Sequence, residues 1–255
     1  MEKINVDWNK YALQYDAITT KGTNPAYMEL VNKVQNHFKD FGLSDNSLLV
    51  DLGGGTGNFS IPLAKRYTKN QFVIVDDSEQ MLEIAESKIK REGLENISTL
   101  KTDCENIERV VNDYDKPINH CIMIHALYAT RTKEDPEKPQ RILNNLYQYM
   151  EDDNNSTFML SDINRQLRTG SWVAYSIWNG LKTFKSLKKT IDYFKEHDEA
   201  KKANEFIDQM QKEGHFLICE LDELEKMVKD AGFSKIYEKS DKYYRGRDNL
   251  LIAGK

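Results

Sequence analysis

The sequence predicts a doubly wound α/β domain, in which a mostly parallel sheet carries helices on both faces. Three observations predict it. Short apolar runs alternate with helical patterns from position 48 onward, a glycine-rich turn directly follows the first run, and an acidic residue ends the second. The apolar runs fall at 48–52, 72–75, 97–100, 121–124 and 157–160. Between them Met81, Leu82, Ile84, Ala85 and Ile89 recur at helical spacing, as do Ile142, Leu143, Leu146 and Tyr147, so those faces are expected to cover the sheet. After Asp162 the alternation stops. Residues 165–213 read as a helical insertion, a helix at 221–231 ends at Gly232, and two further strands lie near 234–238 and 249–253. Residues 1–40 also read as helical. The expectation is one domain over 1–255, with 1–40 as a helical cover and 165–213 as a helical cap inserted in it.

Composition narrows the class. Hydrophobic residues make up 39% and charged residues 30%, which fits a globular protein and argues against a disordered or membrane-spanning chain. No apolar run approaches the length of a bilayer span, and the charged start Met-Glu-Lys-Ile has no apolar stretch of a signal peptide, so a cytoplasmic protein is expected. The three cysteines, Cys104, Cys121 and Cys219, are widely spaced and match neither a disulfide framework nor a zinc-ligand pattern; no metal is expected. A net charge of -5 disfavours a nucleic-acid partner, which usually calls for a basic surplus. Nothing in the pattern fixes an oligomeric state.

The strongest local signal is the run from Leu48 through Asp51, Leu52, Gly53, Gly54, Gly55, Thr56 and Gly57 to Asn58, a strand entering a glycine-rich turn and then a helix. Glycines let a backbone turn sharply and approach a ligand, and a helix start offers free amides. A dinucleotide fingerprint would need a third glycine where Asn58 stands. What stands instead is Asp-x-Gly-x-Gly-x-Gly, formed by Asp51, Gly53, Gly55 and Gly57. It resembles the first motif of the class I S-adenosylmethionine-dependent methyltransferases, whose sheet is Rossmann-like.

Two more segments carry the same resemblance. Phe72 to Val75 leads into Asp76, Asp77 and Ser78, then Met81 and Leu82. In that family the acidic residue at this strand end binds the adenosyl ribose, and Asp76 matches it; Asp77 departs from the usual apolar residue beside the adenine and serves either as a ligand contact or as a helix N-terminal charge. Thr102-Asp103-Cys104-Glu105 is similar to the family's Gly-Asp-Ala-Glu segment, which implies adenine contacts from Asp103 and the Cys104 amide. The segment from Trp8 to Asp16 is similar to the N-terminal helix that covers the cofactor in many small-molecule members, with Tyr15 near the methionine end; Trp8, Tyr11 and Tyr15 at helical spacing also suit plain core packing. The resemblance thus implies a methyltransferase with S-adenosyl-L-methionine as cofactor and a small-molecule acceptor. A nucleotide-cofactor oxidoreductase shares the fold, and an RNA or protein acceptor stays open.

Methyl transfer from a sulfonium is an in-line displacement, so an enzyme mainly holds the nucleophile in line and excludes water, with a general base useful for hydroxyl acceptors. His125 and Tyr128, after the fourth run, are the polar candidates for this chemistry; a backbone bond at the strand end and core packing are the alternative uses. Asp162, Asn164 and Arg165 follow the fifth run and are candidates to line the pocket. His37 and His197 read as surface residues. From 165 to 191 there is no acidic residue, while Arg165, Arg168, Lys182, Lys185, Lys188 and Lys189 are interleaved with Trp172, Tyr175, Trp178 and Phe184. Arg165, Arg168, Trp172 and Tyr175 are therefore candidates to meet an anionic or aromatic acceptor, or else form a core face and a solvated face. No Asn/Asp-Pro-Pro-Tyr/Phe signature of nucleobase amine methylation occurs.

Overall fold

Parallel strands covered on both faces must be apolar at nearly every position, and the central runs meet that demand. In the computed structural model every residue of β1 (Leu48–Leu52) and β4 (His120–Ile124) is buried, as are the four inner residues of β2 (Gln71–Asp76). The structure describes residues 25–153, 155–164, 218–243 and 248–255, together with isolated positions among 8–19, 178–188 and 209–214. The described strands form one sheet in the order β3-β2-β1-β4-β5-β7-β6, where β3 is Ile97–Lys101, β5 Thr157–Ile163, β6 Lys235–Lys242 and β7 Asp248–Gly254. β1 to β5 pair in parallel, and β7 runs antiparallel to both β5 and β6. The doubly wound α/β expectation holds. β5 extends three residues beyond the apolar run 157–160, because Ser161 and Asp162, although polar, stay in register with Leu250 and Asn249 and are buried.

Helices cover both faces, each through an apolar side. On one face α1 (Pro25–Phe41), α2 (Ser60–Arg66) and α3 (Glu79–Glu92) pack Leu30, Phe38, Leu63 and Leu82 onto Leu49, Ile74, Ile122 and Ile252. On the other, α4 (Glu108–Tyr114), α6 (Lys138–Tyr149) and α7 (Leu221–Asp230) pack Val110, Ile142, Leu146 and Leu224 onto Val50, Met123, Leu160 and Leu251. Fully burying a side chain of this size contributes about 1.5–3 kcal/mol. The short α5 (Leu127–Thr130) follows β4. His37, read as a surface residue, is partly enclosed instead: its ring stacks on Phe41 at 5.3 Å, its Nε2 is buried, and burial pushes its pKa down to about 4. The cause is α1's flank, where Phe41 also meets Tyr237 of β6.

The strand order places the functional ends. From β1 the chain winds outward to β2 and β3, then returns to β4 on β1's other side. Loops leaving β1 and β4 diverge, and in such sheets ligands bind in the crevice at those carboxyl ends. The antiparallel β7 brings its first residue, Asp248, opposite Ile163 at the carboxyl end of β5.

Candidate active site

The turn after β1 is built by its glycines for different reasons. Gly53, Gly55 and Gly57 have φ values of 66°, 53° and 74°, in the left-handed region that side chains avoid. A Cβ on Gly53 would lie 2.4 Å from the Ala126 Cβ, and one on Gly57 2.7 Å from the Ile74 Cδ1. Those two glycines allow close packing. At Gly55 the nearest atoms to such a Cβ are the Met81 Sδ at 3.7 Å, the Tyr15 Cε1 at 3.9 Å and the Asp76 Oδ2 at 4.0 Å. Buried Gly55 thus meets a thioether, an aromatic edge and a carboxylate at ordinary contact distance, without the crowding found at Gly53 and Gly57. The extra glycine, Gly54, was not singled out in the sequence; a Cβ there would lie 2.6 Å from the Asp51 Cγ. Asp51 itself is 1% exposed beneath the turn, so its carboxylate backs the loop from inside. The helix expected directly behind the turn opens at Ser60, and tight turns fill the interval, with Gly57 N donating to Gly54 O at 2.9 Å.

Asp76, at the end of β2, binds the turn: its Oδ2 accepts from Gly55 N at 2.9 Å and its Oδ1 from Ser78 N at 2.9 Å. Burial raises its pKa to about 6, with the charge of exposed Asp77 adding to the shift. Ser78 caps α3 by accepting from Met81 N at 3.3 Å, which aims Met81 at the cradle. Asp103 caps the short 3-10 helix Cys104–Asn106, its Oδ1 accepting from Glu105 N at 2.9 Å, and its Oδ2 accepts from Lys138 at 2.5 Å. Cys104 is buried, its Sγ 3.9 Å from the Gly53 Cβ position.

Side chains the sequence reading passed over tie the N-terminal segment onto the turn. Lys88 of α3 donates to Asp16 Oδ1, to Asn58 Oδ1 at 2.8 Å and to Thr56 O at 3.0 Å, and Thr56 Oγ1 donates to Asp16 at 2.9 Å. Asn58 Nδ2 donates to Thr19 Oγ1 at 2.8 Å and to Tyr27 Oη at 3.3 Å. Asn58, which breaks the dinucleotide pattern, thus ties the turn to Thr19 and Tyr27. Tyr15 and Tyr27 share a hydroxyl contact of 3.3 Å. Trp8 packs against Ala12 and Met81 in one apolar cluster and against Tyr128, Ile163 and Met210 in another.

On the β4 side, His125 Nε2 lies 2.5 Å from Asp248 Oδ2, and Tyr128 is 5% exposed against Ile163 and Met210. Asp248 carried no sequence signal, because only the antiparallel pairing of β7 brings it within reach from 123 residues away. Asn164 Nδ2 donates to Asn249 Oδ1 at 3.3 Å, and Asp162 is buried on β5. The candidates Arg165, Arg168, Trp172 and Tyr175 lie outside the described residues, as does His197.

Buried carboxyls give stability a definite pH dependence. Burial raises Asp51 to about 7, Asp76 to about 6 and Asp162 to about 8, so the folded protein holds protons the unfolded chain has lost. Stability therefore falls as pH rises from the ordinary carboxyl value of 3.8 to about 8, with Asp51 and Asp162 carrying the part above about 6. His37 and His120, both lowered to about 4 by burial, act in the opposite direction below the ordinary His value and have no effect above it. Thermal unfolding of the free protein is expected to drop by about 5 °C between pH ~6.5 and ~8.5. Asp162→Asn should flatten most of that drop, and a midpoint that is level or rising in the wild type contradicts it.

Residues 49–153 match the family model described as a methyltransferase domain. The carboxy-S-adenosyl-L-methionine synthase of Nautilia profundicola is 30% identical over 112 residues, 41% of this chain and 47% of that protein. The tRNA (guanine-N(7)-)-methyltransferase of Porphyromonas gingivalis is 29% identical over 70 residues, 28% of this chain and 29% of that protein. The chain thus spans about half or less of the length of these curated relatives. Magnesium protoporphyrin IX methyltransferase from Synechocystis PCC 6803, solved with bound SAH, superposes with a TM-score of 0.64 at 16% identity over 98% of this chain and 97% of that one, a likeness of fold. No described helix is long and apolar enough to cross a membrane. The Asp-x-Gly-x-Gly-x-Gly turn and the strand-end Asp76 both lie inside residues 49–153, the segment that matches the methyltransferase domain.

Proposed function

We propose that the protein transfers a methyl group from S-adenosyl-L-methionine to a small-molecule acceptor through a nitrogen or oxygen nucleophile. The observation that carries this reading is the glycine turn held by Asp76, whose Oδ2 accepts from Gly55 N at 2.9 Å, with Met81 and Tyr15 beside Gly55. A nucleoside fits that chemistry. The Asp76 carboxylate has lone pairs beyond its two backbone bonds for a ribose diol, Asp103 and the Cys104 amide stand at the next strand end for the adenine, and Gly53, Gly55 and Gly57 let the main chain approach. Asp51 supports the loop from beneath and Tyr15 closes the methionine side. When bound, the cofactor supplies an electrophilic methyl group.

The chain's own residues orient the reactants and keep water out. The cover, held by Lys88 and Asn58, and the end of the 165–213 insertion, where Met210 meets Tyr128, enclose the crevice from two sides. We assign that insertion as a cap selecting the acceptor, with Arg165, Arg168, Trp172 and Tyr175 suited to an anionic or aromatic one. His125 and Tyr128 stand nearest the acceptor. Calorimetry is expected to show binding of S-adenosyl-L-methionine and S-adenosylhomocysteine and none of NAD. Incubation of the full chain and 13C-methyl-labelled cofactor with the small-molecule fraction of a cell lysate should yield a mass-shifted product. NAD binding in place of the sulfonium cofactor, or label appearing in RNA or protein only, overturns the reading.

A further inference from the structure

Among the described residues, buried polar atoms without a hydrogen bond gather at one place. Both carboxyl oxygens of Asp162, the Oδ1 of Asn164, the Oδ1 of Asp248 and the Oγ of Ser161 are in that state, all where β5 ends and β7 begins. Asp162 is 1% exposed, Asn164 4% and Asp248 0%. A polar atom that has given up water for no partner is costly, so native proteins keep few of them. These stand at the carboxyl end of the sheet, beside Tyr128 of α5, where sheets of this kind bind ligands.

The strands bring them together. Phe158 and Leu160 of β5 and Leu251 and Ala253 of β7 belong to the apolar cluster under α6 and α7, and by alternation Asp162 and Asn249 continue that face. Packing alone would favour apolar residues there. Asn249 pairs with Asp162 in the sheet and is bonded to Asn164, so both side chains flank it. Its own amide is fixed at both ends, Nδ2 donating to Cys219 O at 2.8 Å and Oδ1 accepting from Asn164 Nδ2 at 3.3 Å. The nitrogen of Asn164 is thereby spent, and its oxygen is left without a donor. The amides of Ile163 and Tyr128 stand near the Asp162 carboxyl without hydrogen-bonding it, and the titratable groups around it are His125 at the end of β4, Asp248 of β7 and Cys219 before α7. Burial raises the Asp162 pKa to about 8, with the charge of His125 opposing and that of Asp248 adding to the shift.

Apart from Ser161, every unspent atom is an acceptor, and that selects the ligand. An anion is repelled by two carboxyls, and a hydroxyl brings a single donor. A basic amine brings two or three N–H donors and, when protonated, a charge that a carboxylate balances. We propose that Asp162 and Asn164 form the acceptor subsite and receive the N–H donors of a small amine, which is methylated on that nitrogen. The inference rests on the methyltransferase reading above and narrows its nucleophile to nitrogen. An amine that arrives protonated gives up one proton to solvent. The neutral nitrogen then forms a bond to the methyl carbon through its lone pair as the carbon–sulfur bond breaks. The bonding pair goes to sulfur, and the methylated ammonium passes its extra proton to solvent on leaving.

The test uses the full chain, 13C-methyl-labelled S-adenosyl-L-methionine and the small-molecule fraction of a cell lysate. The labelled methyl is expected on an amine nitrogen. A methyl on oxygen, sulfur or carbon overturns the subsite and leaves the methyltransferase reading intact, whereas bound cofactor with no labelled small molecule overturns that reading and the subsite with it. On the amine so identified, D162N and N164A should each raise KM at least about tenfold, while calorimetry shows the affinity for S-adenosylhomocysteine unchanged, which also reports that each variant is folded. Unchanged KM in both variants overturns the assignment. The wild-type KM should fall as pH rises toward about 8, because the ionised Asp162 carboxylate receives the protonated amine, and D162N should lose that dependence. A merely structural role of Asp162 would lower activity at every pH and leave the shape of the profile as it was.

Discussion

Gly55→Val is expected to abolish binding of S-adenosyl-L-methionine in a protein that still folds, while Gly53→Ala and Gly57→Ala are expected to damage the fold. The three glycines share a left-handed backbone, so conformation alone does not separate them. Their surroundings do. A methyl group at Gly53 or Gly57 meets Ala126 or Ile74 at 2.4 Å and 2.7 Å, inside a packed core that has little room to yield. At Gly55 every neighbour of the new carbon stands at ordinary contact distance, 3.7 Å or more, so the folded state accepts it apart from the dihedral strain, about 1–2 kcal/mol. On the proposed reading, what Val would occupy is the side on which the cofactor lies. Calorimetry on Gly55→Val should show a loss of at least about a hundredfold in affinity, near 2.7 kcal/mol, with the far-ultraviolet signal retained. Undiminished binding would mean that the cradle at Gly55 is not where the cofactor sits.

The sheet was legible because parallel strands buried on both sides must be apolar throughout, which no local context disguises: 48–52 in the sequence is Leu48–Leu52 in the structure. β5 was read short because its last residues are polar for reasons outside the strand, Asp162 and Ser161 being matched by Asn249 and Leu250 of a strand far down the chain. The same limit governs the site. Asp51, Gly53, Gly55, Gly57 and Asp76 announce themselves within one βα unit and its successor, and the structure brings Gly55 and Asp76 into contact. Lys88 and Asp248 are ordinary charges until the fold sets one beside Asp16 and the other beside His125. Asn58 had been informative only as a missing glycine. Its positive use, holding Thr19 and Tyr27, depends on how those two residues come to lie beside the turn, which the sequence does not specify.

Asp76→Ala is expected to weaken cofactor binding by roughly ten- to a hundredfold, the cost of about 1.5–3 kcal/mol for losing hydrogen bonds to a charged acceptor. Two contributions add here. The carboxylate that would accept from the ribose diol also accepts from Gly55 N and Ser78 N, so its removal releases the very loop that forms the cradle. A pH series separates them. Burial holds the Asp76 carboxyl at about 6, above the usual carboxylate range, so in the free protein it gains a proton as pH falls through that value. Diol hydroxyls donate to the ionised form, and wild-type affinity should therefore be level above about pH 7 and fall by about tenfold toward pH 5. Asp76→Asn keeps the size of the side chain and cannot ionise, so its affinity should be low and flat across the same range. Isothermal titrations at matched ionic strength read both curves. A wild-type curve that is flat, or an Asp76→Ala protein that binds as tightly as the parent, would remove Asp76 from the ribose position.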